Sequence, residues 1–144
     1  MDSIRIELPY LPPASFSPNS RVHWAVRSKD GKMVKEDVYY LLRAQCATIP
    51  QLKAITLKYT IVVPDNRRRD YDNFISRTKP ITDALVSAGL IPDDTPEYIK
   101  YFNVIFVYEK GKKATIIEVG GKQREEYQVK REKLSQPALS AGIR

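Results

Sequence analysis

The densest run of chemically capable residues is Arg67-Arg68-Arg69-Asp70-Tyr71-Asp72-Asn73. In an extended segment, residues two apart point the same way, so Asp70 and Asp72 would present two carboxylates to one point. Magnesium takes oxygen ligands, keeps part of its water shell and needs only a few carboxylates. The arginine run immediately upstream supplies the opposite charge. Such a set suits metal-assisted phosphodiester hydrolysis. The carboxylates hold the cation, the cation activates water or neutralises the reacting phosphate, and the arginines hold a nucleic-acid backbone. The same residues also suit a surface loop in which Asp and Arg neutralise one another and Asp72 only caps a helix.

Two further pieces follow along the chain. Lys79 falls two turns after Asp72 if one helix runs through both, and Asp83 comes one turn later. A lysine beside a metal-binding pair could stabilise charge developing on a scissile phosphate; it could equally be a solvated lysine with an i,i+4 partner. Asp93-Asp94 lies in Ile-Pro-Asp-Asp-Thr-Pro, and a loop folding back from the far end of the helix would bring a third carboxylate to the site. The competing reading is an ordinary turn, since Asp and Pro favour turns.

The elements that must position these residues are legible from periodicity. Ser3–Tyr10 alternates and reads as a strand ended by prolines, and Arg21–Arg27 reads as a short strand before an Asp30-Gly31 turn. Lys32–Thr48 has helical spacing in Val34, Val38, Leu41, Leu42 and Cys46, with Pro50 as its stop. Lys53–Val63 is a strand carrying Ile55, Leu57, Tyr59, Ile61 and Val63. A helix is expected from Asn73 towards Gly89, capped by Asp72, with Ile81, Ala84, Leu85 and Ala88 inward; Pro80 either kinks it or splits it in two. Tyr98–Glu109 and Ala114–Val119 read as strands around a Lys110–Lys113 turn, and Gly120-Gly121 as a boundary. The strand aromatics Tyr98, Tyr101, Phe102, Phe106 and Tyr108 suit a core or a dimer interface. The order β, β, α, β, α, β, β implies an α/β (α+β) domain, a mixed β-sheet with two main helices packed on it. Residues 1–119 form the compact domain and 120–144 a basic C-terminal tail, partly helical or disordered.

Composition narrows the function classes. With 24 Lys and Arg against 17 Asp and Glu, the chain carries +7, which suits a polyanionic partner, nucleic acid first. Cys46 is the one cysteine and His23 the one histidine, which excludes an internal disulfide, a multi-cysteine zinc site and any site needing two histidines. No apolar run approaches the roughly 20 residues of a membrane span, and no signal peptide is visible at the N-terminus, so a cytoplasmic protein is expected.

Taken in order, Arg-Arg-Arg-Asp-Tyr-Asp-Asn, Lys79, Asp83-Ala84-Leu85, Gly89 and Asp93-Asp94 resemble the RusA family of Holliday junction resolvases. Leu11-Pro12-Pro13 and Pro18-Asn19-Ser20 fit the family's opening, and the resemblance covers Ile4 to Val119. It implies a homodimeric, magnesium-dependent endonuclease of phage or prophage type, with manganese as a substitute cation. The substrate would be four-way junction DNA, cut by paired symmetric nicks in recombination and repair, with no membrane and no small-molecule cofactor involved. It makes Asp70, Asp72 and Asp94 metal-binding and catalytic, Asp93 an adjacent metal ligand, and Lys79 the essential lysine. Arg67, Arg68 and Arg69, with Asn73 and Arg77, become the DNA-binding set. Between Asn73 and Lys79 this chain has Phe74-Ile75-Ser76-Arg77-Thr78, a longer spacing than in the best-known member. Two other functions compete: a non-catalytic, structure-selective DNA-binding protein, and a magnesium nuclease acting on forks, flaps or RNA.

Overall fold

The computed structural model describes residues 3–123. Strand β1 (Ser3–Leu8) is followed by a short 3-10 turn at Ala14–Phe16 and the long helix α1 (Trp24–Gln45). Strand β2 (Leu52–Val63) leads into helices α2 (Tyr71–Arg77) and α3 (Lys79–Ser87), and strands β3 (Ile99–Tyr108) and β4 (Ala114–Gln123) complete the domain. One four-stranded sheet results, in the order β1-β4-β2-β3. β4 pairs antiparallel with β1 and β2, while β3 lies parallel to β2. A parallel pair needs a crossover, and α2 and α3 provide it. The mixed sheet and α+β class are therefore as the sequence implied.

The core forms on one face of this sheet. Leu57, Tyr59, Ile61 and Val63 of β2 point the same way as Ile4, Ile6 and Leu8 of β1 and Ile117 and Val119 of β4, and all are buried. Val34, Val38 and Leu42 of α1 and Ile81, Ala84 and Leu85 of α3 close over them. Deep in this layer Tyr59 Oη and Thr82 Oγ1 share a hydrogen bond of 2.7 Å, which ties the central strand to α3.

The expected strand at Arg21–Arg27 and turn at Asp30-Gly31 are not formed; α1 already starts at Trp24 and runs through them. His23 Nδ1 accepts from the Ala25 amide at 3.1 Å and caps it. Residues 21–29 are all exposed, so this half of the helix lacks the apolar periodicity that would reveal it. The far end comes at Gln45 instead of Thr48, and Cys46 sits beyond it in extended backbone, half-buried.

Pro80 splits the second helical stretch. The break falls at buried Thr78, and Pro80 becomes the second residue of α3, where its missing N–H costs nothing. α3 is stopped by Gly89, just past its cap Ala88, at φ 89°. The Leu90 amide donates to Leu85 O at 3.1 Å and the Gly89 amide to Val86 O at 3.0 Å, a Schellman ending that favours glycine at the left-handed position.

β4 does not stop at Val119. It continues through Gly120 and Gly121 to Gln123, pairing with β2 as far as Leu52. A Cβ at Gly121 would stand 2.7 Å from Ala54 O, so the glycine is part of the pairing and not a boundary. The tail expected over 120–144 otherwise lies outside the described residues.

Candidate active site

The acidic run straddles a strand-to-helix junction. Asp70 occupies the N-cap position of α2 with extended backbone (φ −95°, ψ 132°), while Asp72 already lies in the first helical turn. The two aspartates therefore do not share one extended segment, and Asp72 is not the cap. Asp70 makes no capping hydrogen bond through its side chain. Both carboxylates are exposed and, among the described residues, neither has an ion-pair partner. Anionic groups near a helix N-terminus are favoured by the exposed amides there.

Helix α2 is held in place by aromatic packing. Phe106 of β3 receives Tyr71 at 5.2 Å and Phe74 at 5.1 Å, both edge-on. Tyr71 therefore turns towards β3, leaving the aspartates on either side of it facing elsewhere.

Lys79 opens α3 and stands between two carboxylates, Asp83 at 3.2 Å and Asp94 at 3.5 Å. Asp94 belongs to the loop after α3, so that loop folds back along the helix. The Asp94 amide donates to Asp93 Oδ1 at 2.8 Å, which occupies the neighbouring carboxylate in shaping the turn. The hydrogen bond to Asp83 and the charges of Asp83 and Asp94 outweigh partial burial and hold the Lys79 ammonium above the ordinary lysine range.

A cleft of about 300 Å³ lies here, lined by Ile75, Thr78, Lys79, Asp94 and Phe102 among others. Ile75 is one turn after Asp72, on the same face of α2, so that face runs from the exposed carboxylate to the cleft. Among the described residues no group of three His, Cys, Asp or Glu side chains converges. Asp94 is gathered with Lys79 and Asp83, and Asp70 and Asp72 stand apart at the head of α2.

The five residues expected to face DNA divide. Arg69 is almost fully buried and pairs with Asp65 Oδ1 at 2.9 Å, while also donating to the carbonyls of Asp65 and Arg67. The Arg67 amide and then the Arg69 guanidinium hold the Asp65 carboxyl below the usual carboxylate range. Arg77 donates twice to Pro12 O, at 2.9 and 2.6 Å, and lies over the Phe74 ring at 4.2 Å. Burial, then the charge of Arg69, lowers its pKa. These two arginines brace the loops around the site. Arg67 and Arg68 remain exposed, and Asn73 is half-buried. Asp65 was not among the expected residues, although its i,i+4 spacing to Arg69 was a readable signal.

No protein-family model matches the chain. Over 94 residues it is 31% identical to the crossover junction endodeoxyribonuclease rusA of Enterobacteria phage HK97, covering 65% of this chain and 76% of the relative. The chain belongs to the RusA family. Solved structures of the hydrogenase maturation protein HypE resemble it only loosely. The ATP complex gives a TM-score of 0.38 at 10% identity, covering 84% of this chain and 30% of that one. HypE of E. coli gives 0.36 at 14%, covering 85% and 33%. Likeness at this level establishes no shared fold. RusA membership thus stands on sequence, and the arrangement around Lys79 on the geometry above.

Proposed function

We propose that this protein is a magnesium-dependent endodeoxyribonuclease that resolves four-way DNA junctions by paired nicks, acting as a homodimer. The observation that carries the reading is Lys79 held between Asp83 and Asp94, close to the exposed carboxylates of Asp70 and Asp72 at the head of α2, which have no ion-pair partner among the described residues, in a chain of the RusA family.

The donor chemistry fits a hard divalent cation. Magnesium is commonly held by one or two carboxylates together with the substrate's phosphate oxygens, so a pre-gathered trio is not required. Asp70 and Asp72 would hold the ion, with Asp94 as a third carboxylate and Asp93 beside it. When bound, the ion neutralises charge on the phosphate undergoing attack. Lys79 is fully protonated at neutral pH, so it serves as a fixed positive charge for the developing oxyanion and not as a base. Arg67 and Arg68 hold the DNA backbone, and Asn73 orients Asp72. Arg69 and Arg77 act at one remove by fixing the loops that carry these groups.

The test is cleavage of a labelled synthetic four-way junction by the full chain, in magnesium and in EDTA, with linear duplex and Asp72→Asn in parallel. Symmetric nicks that need both magnesium and Asp72 are expected. Tight junction binding without cleavage in magnesium or manganese would instead identify a DNA-binding protein.

A further inference from the structure

Trp24 opens α1 directly after the capping His23 and is 74% exposed. Its ring meets His23 at 5.4 Å and nothing in the core. An indole is a large apolar group, and this one lines a cleft beside cationic side chains. Ser28, Lys32 and Lys35 follow Trp24 along one helical face. They form one wall of a cleft of about 440 Å³, and Phe16, Pro80 and Asp83 lie across from them. The wall is firm, because Ser15 donates to Asp30 at 2.6 Å and Arg27 donates to Ser15 O at 2.9 Å, which bolts the Phe16 turn to α1.

Lys32 and Lys35 are exposed and have no acidic partner among the described residues. The one carboxylate in the lining, Asp83, already bonds Lys79. The groove thus borders the candidate active site through Asp83, which lines it and bonds Lys79. Ammonium groups that can track a backbone, with an exposed aromatic ring beside them, are the two components of single-strand recognition.

We propose that this groove takes one DNA strand next to the cleavage point, with Lys32 and Lys35 on its phosphates and Trp24 stacked on a base freed from pairing at the junction centre. The proposal rests on the reading of the protein as a junction-cleaving enzyme and adds the element that distinguishes an opened junction from duplex.

Trp24 is the one tryptophan of the chain, so its emission reports this surface alone. The experiment titrates full-length protein with a fluorescein-labelled four-way junction in EDTA, following anisotropy for binding and indole emission for stacking. Emission should be quenched at the same concentrations that raise anisotropy. Trp24→Ala should bind the junction about tenfold more weakly, Trp24→Phe should recover most of that loss, and duplex affinity should be unchanged by either. Lys32→Gln with Lys35→Gln should flatten the salt dependence of junction binding by about two units of slope. Because these side chains are exposed, the thermal melts should overlay the wild type. Junction binding with unaltered emission and a wild-type affinity for Trp24→Ala would overturn the proposal and leave the enzyme reading intact. Absence of junction binding or of magnesium-dependent nicking by the wild type would overturn the reading beneath it and the proposal together.

Discussion

A side chain's neighbours, more than its type, decide what it does around this site. Lys79 and Arg69 are both cations beside carboxylates, but Lys79 is mostly exposed at the edge of a cleft whereas Arg69 is enclosed. Replacing Lys79 by alanine should lower junction cleavage about 100-fold or more while junction binding survives, as measured by single-turnover cleavage beside a gel-shift titration. The pH dependence follows from the direction of its shift. A lysine whose folded pKa is raised keeps its charge, and the stability linked to it, at every pH below the unfolded value and loses both as pH rises through the folded one. The cleavage rate should therefore show no loss assignable to Lys79 between neutrality and the ordinary lysine range. Arg77 and Arg68 should separate the opposite way. Arg77→Ala removes two hydrogen bonds to Pro12 O and the contact with Phe74, and should cost about 1–3 kcal/mol in urea unfolding. Arg68→Ala should leave the unfolding curve in place and weaken binding to every DNA tested, since a phosphate contact carries no sequence information.

At the scale of elements, legibility tracked how much of each segment is buried on one side. β2 and the inner stripe of α1 were readable because Leu57, Tyr59, Ile61, Val34, Val38 and Leu42 impose the strand and helix periods directly. The first half of α1 was not, because its side chains face solvent and an Asp-Gly pair inside it imitates a turn. The site divided along the same line. Lys79, Asp83 and Asp94 could be named from spacing and family resemblance, and the fold-back of the loop joins them. The placement of Asp70 outside α2 and Asp72 inside it depends on Tyr71 and Phe74 docking against Phe106, a long-range contact with no local signature. The paired glycines of β4 carry the prediction at this scale. A methyl at Gly121 would meet the Ala54 carbonyl at 2.7 Å, which is backbone within the β2–β4 ladder, whereas one at Gly120 would meet Thr56 Oγ1 at 2.8 Å, an exposed side-chain atom that can move at the cost of its long 3.4 Å hydrogen bond to Gly120 O. Gly121→Ala should thus destabilise the fold by about 1–3 kcal/mol and Gly120→Ala by clearly less, compared by thermal or urea melts.

For the whole molecule, the question is how one small basic domain would make the two cuts of the proposed reaction. A single chain presents one Lys79-centred cleft, while a four-way junction offers two related strands, so coordinated nicking calls for two copies arranged about a two-fold axis. Under the proposed function the protein should sediment at about twice 16.5 kDa. The two sites can be counted functionally with a supercoiled plasmid that extrudes a cruciform. Two nicks within one encounter yield linear DNA, and a single nick yields an open circle that has lost its cruciform and is no longer a substrate. Mixing wild type with an excess of Asp72→Asn, after allowing subunits to exchange, should therefore shift the products from linear towards open circle as mixed dimers with one competent site form. Monomers cutting independently would instead yield open circle even without the variant, because the first nick removes the cruciform before a second competent chain arrives. The ratio thus reports whether both clefts act in one assembly, and rate alone does not.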